Sequence, residues 1–235
     1  MSRFANIPAE EIVGVRAPFL QGSGDSMYQF LYKNDFVYES SRPTQLMMWP
    51  YTADLPSIQE CVIPPCPTDL YKGFWVFPMV ELEAKDGSKC VMADACDSGP
   101  TSADEAYDFL YKNFLNHYGD NRAPFGVYAH ATWFKSNPFI LEGYCRFVDK
   151  ILSLGDVYIV SVKKGLDWIR QPTPRTGQLP DSWNDKSREY TCPITYSCGY
   201  ESADQLPPGF TPRYMTSCSP CPPKYPWTDN PLGEL

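Results

Sequence analysis

The chain has 235 residues, of which 43% are hydrophobic and 15% aromatic, and its formal net charge is -8. This length and apolar content suit one sizeable domain or two small ones and exclude a disordered chain. The acidic balance disfavours nucleic acid and anionic membrane surfaces as partners, because both attract clustered Lys and Arg. No apolar run approaches the roughly 20 residues of a membrane-spanning helix, so we expect a soluble protein.

Short apolar strands alternate with helices over residues 1–171. Apolar side chains recur at helical spacing in the predicted helices, and Ser102 or Thr101 is suited to cap the helix predicted at 104–118. The alternation implies parallel strands joined by right-handed crossovers, as in an α/β sheet or barrel. The predicted strands are 12–15, 36–38, 74–80, 125–130 and 156–162, and the predicted helices are 25–33, 104–118, 138–152 and 163–170.

Prolines interrupt this pattern in two places. They rule out long regular elements within residues 42–73, which we predict to be a disulfide-stapled loop. Residues 172–235 hold 12 of the 24 prolines and four of the nine cysteines. The sequence therefore predicts a domain over 1–171 and an irregular, disulfide-rich tail over 172–235 that packs on it.

The cysteines indicate an oxidising compartment. Eight of the nine form close pairs in proline-rich loops, which is typical of a disulfide framework in a secreted protein. The first residues contain no apolar core of the kind that a secretory signal requires, so we expect the natural start to lie elsewhere. The pairs are Cys61/Cys66, Cys90/Cys96, Cys192/Cys198 and Cys218/Cys221, with Cys145 left over.

Candidate chemistry lies where strands end, because the C-terminal ends of parallel strands carry the active sites of such folds. Arg16 follows the first strand, and its guanidinium suits either a bidentate pair with a functional carboxylate or a structural ion pair. His130 ends the fourth strand, where it suits either a site at the sheet end or a satisfied core position. His117, at a helix end, is interpreted as structural.

A complete histidine-based metal centre cannot be built from this chain. A hydrolytic zinc site takes about three protein ligands, mostly His. The chain has only His117 and His130, and they are not spaced as a ligand pair. Cys218 and Cys221 have redox-like or zinc-like spacing, but no second pair lies at zinc-ribbon distance, so we interpret them as structural.

Three segments form a recognisable pattern: Gly-Val-Arg-Ala-Pro-Phe-Leu at 14–20, Phe-Val-Tyr-Glu-Ser-Ser at 36–41, and Asn-Arg-Ala-Pro-Phe-Gly-Val-Tyr-Ala-His-Ala-Thr-Trp-Phe at 121–134. They resemble arthropod-type chitin deacetylases of the polysaccharide deacetylase family. The resemblance continues through 155–160 to 218–227 and so covers nearly the whole chain. It implies a distorted (β/α) barrel whose zinc is held by one Asp and two His, with a second Asp as general base.

The resemblance assigns roles to four positions. His130 matches the general acid that protonates the departing amine, and Arg16 matches the arginine that orients the base Asp. Val127 stands where a Leu usually walls the acetyl pocket. Phe19 replaces a common Tyr whose backbone N–H helps to stabilise the oxyanion, and a backbone donor survives this exchange.

Three further positions belong to the cleft. Trp75 and Glu81 fall in the least regular motif of the family, which flanks the cleft and orients the acid. Trp133 matches a wall of the substrate groove.

The family's first two motifs, a Thr-Phe-Asp-Asp segment and a His-Ser/Thr-x-x-His segment, should lie upstream of Arg16. Only fifteen residues precede Arg16, so we expect the first barrel strands, the base and all metal ligands to be missing. The complete protein is then expected to be a zinc-dependent hydrolase of chitin N-acetyl groups, and this chain to be inactive alone. Two alternatives stay open: a non-catalytic chitin-binding matrix protein, and a chain whose barrel is completed by its missing N-terminal segment or by another chain.

Overall fold

A computed structural model describes residues 1–174, 183 and 192–235. The chain divides into two compact units, one of Val13–Asn184 and one of Met1–Ile12 with Asp185–Leu235. The first unit contains all of the predicted strands and helices except the start of the first strand. It also contains every predicted site residue.

The predicted helices are confirmed. α2 and α5 begin and end at the predicted residues, because apolar periodicity and clear end signals coincide there. The Ser102 hydroxyl accepts the backbone N–H of Glu105 at the start of α3 and so caps it. No helix of the described residues is long and apolar enough to cross a lipid bilayer. The helices are α1 (Ser2–Ala5), α2 (Asp25–Lys33), α3 (Ala103–Gly119), α4 (Ala131–Ser136), α5 (Pro138–Leu152) and α6 (Val162–Arg170).

The strands are short, and three of those predicted occur. They are β1 (Gly14–Val15), β2 (Tyr38–Glu39), β3 (Pro43–Thr44), β4 (Tyr51–Ala53), β5 (Tyr71–Val76), β6 (Met79–Val80), β7 (Leu82–Glu83), β8 (Lys89–Cys90), β9 (Tyr196–Tyr200) and β10 (Arg213–Ser217).

The main sheet has the order β1-β2-β5-β4. β1, β2 and β5 are parallel, as the alternation of strands and helices predicts, whereas β4 runs antiparallel to β5. β3 pairs with β6 in parallel, and β7 pairs with β8 as a hairpin. The parallel arrangement brings the C-terminal ends of β1 and β2 to the same edge.

Two strand predictions are wrong. Residues 125–130 and 156–161 form no ladder in the described part of the chain, and Val162 already begins α6. A strand is defined by a ladder of hydrogen bonds to a neighbouring strand, and in the described residues these segments form no ladder, although their composition suits a buried strand. The described residues accordingly form open sheets and no closed barrel. We call residues 157–161 the open segment.

The core of this unit consists of three clusters. Tyr28 and Leu31 of α2 pack on Phe74 and Val76 of β5. A second cluster joins β7, α3, α4 and α5, and a third lies between α3 and α5. Gly143 allows those two helices to approach closely, because a Cβ there would collide with the backbone of Ala103.

Eight cysteines form four disulfides, as the sequence predicts, but not with the predicted partners throughout. Cys61–Cys66 and Cys90–Cys96 link sequence neighbours. In the tail the pairs cross, joining Cys192 to Cys218 and Cys198 to Cys221. Spacing cannot reveal this crossing, since four cysteines allow three pairings. Cys218 and Cys221 therefore have partners within the chain.

The second unit is more regular than predicted. β9 and β10 form a five-residue antiparallel ladder where the sequence predicts irregular structure. The buried Cys198 lies on β9, and Phe4 near the N-terminus accepts the backbone N–H of Cys218 through its carbonyl oxygen. How residues 172–235 pack on the rest of the chain stays a prediction. The leftover Cys145 is a free, exposed thiol on α5 and not a buried one.

Candidate active site

The turn after β1 carries Arg16 to the adjacent end of β2. The Arg16 Nε donates to the Ser40 carbonyl oxygen at 2.7 Å, and its Nη2 donates to the Ser40 hydroxyl at 3.0 Å. The predicted alternatives both paired Arg16 with a carboxylate. The structure instead gives it a backbone and a hydroxyl partner, which set the direction of the guanidinium.

The buried carboxylate of Glu39 supports the turn that carries Arg16. Glu39, fully buried, accepts the backbone N–H of Ser41 at 2.7 Å and the hydroxyl of Tyr28 at 3.0 Å. The Ser41 hydroxyl in turn accepts the backbone N–H of Ala17 at 2.8 Å. Burial raises the pKa of the Glu39 carboxyl, and its hydrogen bonds to Ser41 and Tyr28 oppose that shift. Arg16 and the residues after it are thus tied to the core.

Tyr128 connects Arg16 to the next loop. The Arg16 guanidinium carbon lies 4.4 Å from the centre of the Tyr128 ring, within cation–π distance. Burial raises the pKa of the Tyr128 hydroxyl, although the Arg16 charge opposes this. The Tyr128 carbonyl accepts the backbone N–H of Ala93 at 2.7 Å. This bond brings the short turn Ala93–Ala95 beside the segment that leads to His130.

His130 pairs with a carboxylate. Its Nδ1 lies 2.7 Å from Oδ2 of Asp94, and its backbone N–H donates to Oδ1 of the same residue at 3.3 Å. An ionised carboxylate only accepts, so Nδ1 carries the proton and Nε2 is the nitrogen that faces outward. The His130 side chain is 70% exposed and that of Asp94 only 15%. This geometry suits a proton donor whose ring orientation is set by the carboxylate of Asp94.

Sequence reasoning missed Asp94. It lies 36 residues from His130, outside any periodic element. The available signal was its position inside the Cys90–Cys96 loop, because a short loop closed by a disulfide holds its residues in one arrangement. Together Arg16, Ser40, Asp94, Tyr128 and His130 form what we call the strand-end site.

Two of the predicted cleft residues, Trp75 and Glu81, are half-buried. Trp75 is half-buried in β5 between Tyr38 and Thr52 of the neighbouring strands. Glu81 is half-buried, and its backbone N–H donates to the Thr44 carbonyl. The carboxylate that contacts His130 is that of Asp94, and the role of Glu81 in orienting the acid stays a prediction.

Three predicted residues have contrasting exposure. Trp133 is 9% exposed and belongs to a core cluster, so at most an edge of its ring reaches a groove. Phe19 is 98% exposed, with a left-handed backbone at φ 55°. Val127 is half-buried and lines a cavity.

That cavity has a volume of about 610 Å³ and is mostly apolar. Its wall includes Phe114, Phe147, Val157 and Trp168. One side is formed by the open segment, in which Ile159 is 54% exposed. A mostly apolar concave pocket of a few hundred Å³ is a common form of binding site.

His117 is structural, as predicted. It is buried, and its Nδ1–H donates to the Ala123 carbonyl at 3.0 Å. Its ring packs edge-on against Phe125, and burial lowers the pKa of the imidazole. The described residues contain no group of three or more His, Cys, Asp or Glu that could hold a metal ion. Zinc therefore does not fit any set of side chains that the structure describes.

Comparison with known proteins agrees with the sequence pattern. The whole chain is 38% identical to chitin deacetylase 8 of Bombyx mori and 33% identical to chitin deacetylase 1 of the same species. The resemblance to arthropod chitin deacetylases is confirmed. The chain spans 62% and 46% of the lengths of these two relatives. No family model matches the chain.

Proposed function

We propose that the complete protein is a chitin deacetylase, meaning a form that also carries the segments by which the relatives exceed this chain. It would hydrolyse N-acetyl groups of chitin or chitooligosaccharides, releasing acetate and leaving free amines. The observation that carries the proposal is the His130–Asp94 pair, in which His130 directly precedes α4 and belongs to the longest of the three motifs that carry the resemblance. The two named relatives support the substrate class.

In this proposal His130 is the general acid. Breaking the amide C–N bond leaves the electron pair on nitrogen, and Nε2 of the protonated imidazole supplies the proton that makes the amine a leaving group. Asp94 accepts from Nδ1–H, keeps the ring in one orientation and stabilises the imidazolium. The pair thus performs the second half of the hydrolysis.

Arg16 and Phe19 act on the acyl side of the same bond. Arg16 is tied to Ser40 and would place its positive charge beside the base that the complete protein supplies. Phe19 lies in the first turn of a 3-10 helix, Pro18–Leu20, where a backbone N–H has no partner within the helix. That N–H would stabilise the oxyanion. Trp75, Glu81, Val127 and Trp133 stay proposed cleft residues.

Zinc dependence is proposed for the complete protein only. The family's metal would activate the attacking water, and neither that metal nor the base can be assigned to residues of this chain. We therefore propose that the chain alone has no hydrolytic activity. Its partner would be the missing N-terminal segment or another chain that completes a barrel. The unpaired residues 125–130, the open segment and the apolar cavity support such a completion.

We also propose secretion into a chitinous matrix. The four disulfides are consistent with an oxidising compartment. We propose no nucleic acid partner, because the net charge of -8 gives no long-range attraction for phosphate groups.

The test is acetate release from a chitooligosaccharide by the complete protein. We expect His130→Ala to lower turnover by about 10²- to 10⁴-fold, the usual contribution of a positioned general acid. His117→Gln serves as the matched control, because the other histidine is structural. Normal turnover in His130→Ala would overturn the proposed role.

A second candidate is a non-catalytic chitin-binding matrix protein. Two observations favour it: the described residues hold no metal-binding group, and a fully exposed aromatic ring lies beside the strand-end site. Retention of this chain on chitin beads, together with a complete protein that releases no acetate, would support this candidate. Absence of retention at every pH would remove it.

A further inference from the structure

Phe19 combines full exposure with a strained backbone. Its side chain is 98% exposed, and both Phe19 and Leu20 adopt positive φ angles of 55° and 57°. A bulky residue in the left-handed region is strained, and this conformation persists only where the surroundings enforce it. Here two consecutive residues without a glycine adopt this conformation.

The surroundings hold the turn from both sides. On the N-terminal side, the backbone N–H of Ala17 donates to the Ser41 hydroxyl, and the backbone N–H of Ser41 donates to the buried Glu39. Within the turn, Leu20 N–H donates to the Ala17 carbonyl at 3.0 Å. On the C-terminal side, the Gln21 side-chain amide donates to the Pro64 carbonyl at 2.9 Å, within the loop closed by Cys61–Cys66. The backbone of Phe19 is therefore held from both sides.

Packing does not account for this arrangement. Transfer of a Phe side chain from water to the core stabilises a fold, and Phe19 gains almost none of this stabilisation because its side chain stays in solvent. The fold thus maintains a strained turn whose aromatic side chain contributes nothing to the core. An exposed, strained residue of this kind is the pattern from which function is inferred.

We propose that the Phe19 ring is a stacking platform for a sugar of a β-linked N-acetylglucosamine chain, next to the sugar that reacts. Phe19 lies three positions after Arg16, so the two Cα atoms lie within about 10 Å of each other. The flat, uncharged ring matches the C–H face of a pyranose, which has neither charge nor a large apolar group. This inference rests on the proposed function and adds to the backbone role of Phe19 a separate role for its side chain.

The test is the affinity of this chain for chitohexaose, measured by isothermal titration calorimetry with Phe19→Ala, Phe19→Trp and Phe30→Ala. Phe30 is the matched control, since it is 61% exposed on α2 and belongs to no site. We expect Phe19→Ala to weaken binding by about threefold to tenfold, the range for one aromatic stacking contact. Phe19→Trp should preserve binding, and Phe30→Ala should not change it.

Thermal unfolding of each variant checks the fold, and we expect Phe19→Ala to melt with the wild type. Binding by the wild type that is unchanged in Phe19→Ala overturns the platform and leaves the proposed function standing. Equal weakening in Phe30→Ala also overturns it, because the effect would then be one of general surface hydrophobicity. A wild-type chain that does not bind chitohexaose at all overturns the platform in this chain, whereas failure of the proposed function is read separately from acetate release by the complete protein.

Discussion

The strand-end site and the open segment lie in the same unit and are built in opposite ways. At the site, Arg16 and His130 are polar and exposed, yet each has a defined partner in Ser40 or Asp94. In the open segment, Ile159 is apolar and exposed, and no strand pairs with its backbone in the described part of the chain. The site is thus held by contacts within this chain, whereas the open segment is largely apolar but has no strand partner among the residues that the structure describes.

The largest effect is expected from removing the Glu39 side chain, which supports the turn that carries Arg16. Glu39→Ala would leave the Ser41 N–H and the Tyr28 hydroxyl buried without a partner. Each such group costs about 1–3 kcal/mol, so we expect the free energy of unfolding to fall by about 2–5 kcal/mol. Urea denaturation of this chain measures it, with Glu142→Ala on the exposed side of α5 as control. Equal stability of the two variants would contradict the arrangement described for Glu39.

A smaller effect on the fold, but a clear one on activity, is expected from Asp94→Asn. The amide fills the same space but cannot accept the Nδ1 proton in the same way or stabilise the imidazolium. We expect turnover of the complete protein to fall by at least about tenfold, within the range that a general acid contributes, with an unchanged melting temperature. Asp97→Asn, exposed just beyond the Cys90–Cys96 loop, is the control. A drop of the same size in Asp97→Asn would remove the assignment to Asp94.

The pH dependence of stability tests the buried histidine. Burial lowers the pKa of His117 below its usual 6.5, so the unfolded chain takes up a proton at a higher pH than the folded chain. Stability linked to His117 is therefore fully present above pH 6.5 and falls as the pH decreases through 6.5 toward the folded pKa. We expect His117→Gln to lose less stability than the wild type between pH 7 and pH 5. Parallel curves would show that His117 is not buried in its neutral form.

The smallest effect is expected in the open segment. Ile159→Ala removes a side chain that is mostly in solvent, so the free energy of unfolding should change by less than about 0.5 kcal/mol. The same substitution at Ile140, which is 1% exposed in the core, should cost about 2–5 kcal/mol. If a segment that completes the barrel covers Ile159, its substitution should become costly in the complete protein. Equal costs at both positions in this chain would contradict the exposure of the segment.

Much of the local structure follows from the sequence. α2 and α5 have the predicted bounds because apolar periodicity and end signals lie within a few residues of each other along the chain. The resemblance to chitin deacetylases is likewise contained in contiguous motifs around Arg16 and His130. Strand composition was misleading at 125–130, because a strand also needs a neighbour to pair with.

The sequence by itself determined the helices, the disulfide-rich composition, the resemblance to chitin deacetylases and the two residues on which the chemistry is proposed to depend. Only the tertiary structure assigned Asp94 to His130, Ser40 to Arg16 and Cys192 to Cys218, and only it showed the exposure of Phe19. The physical reason is the distance along the chain over which each interaction acts. Periodicity and capping act over a few residues, whereas hydrogen-bond partners, disulfide pairs and exposure depend on which distant segments the fold brings together.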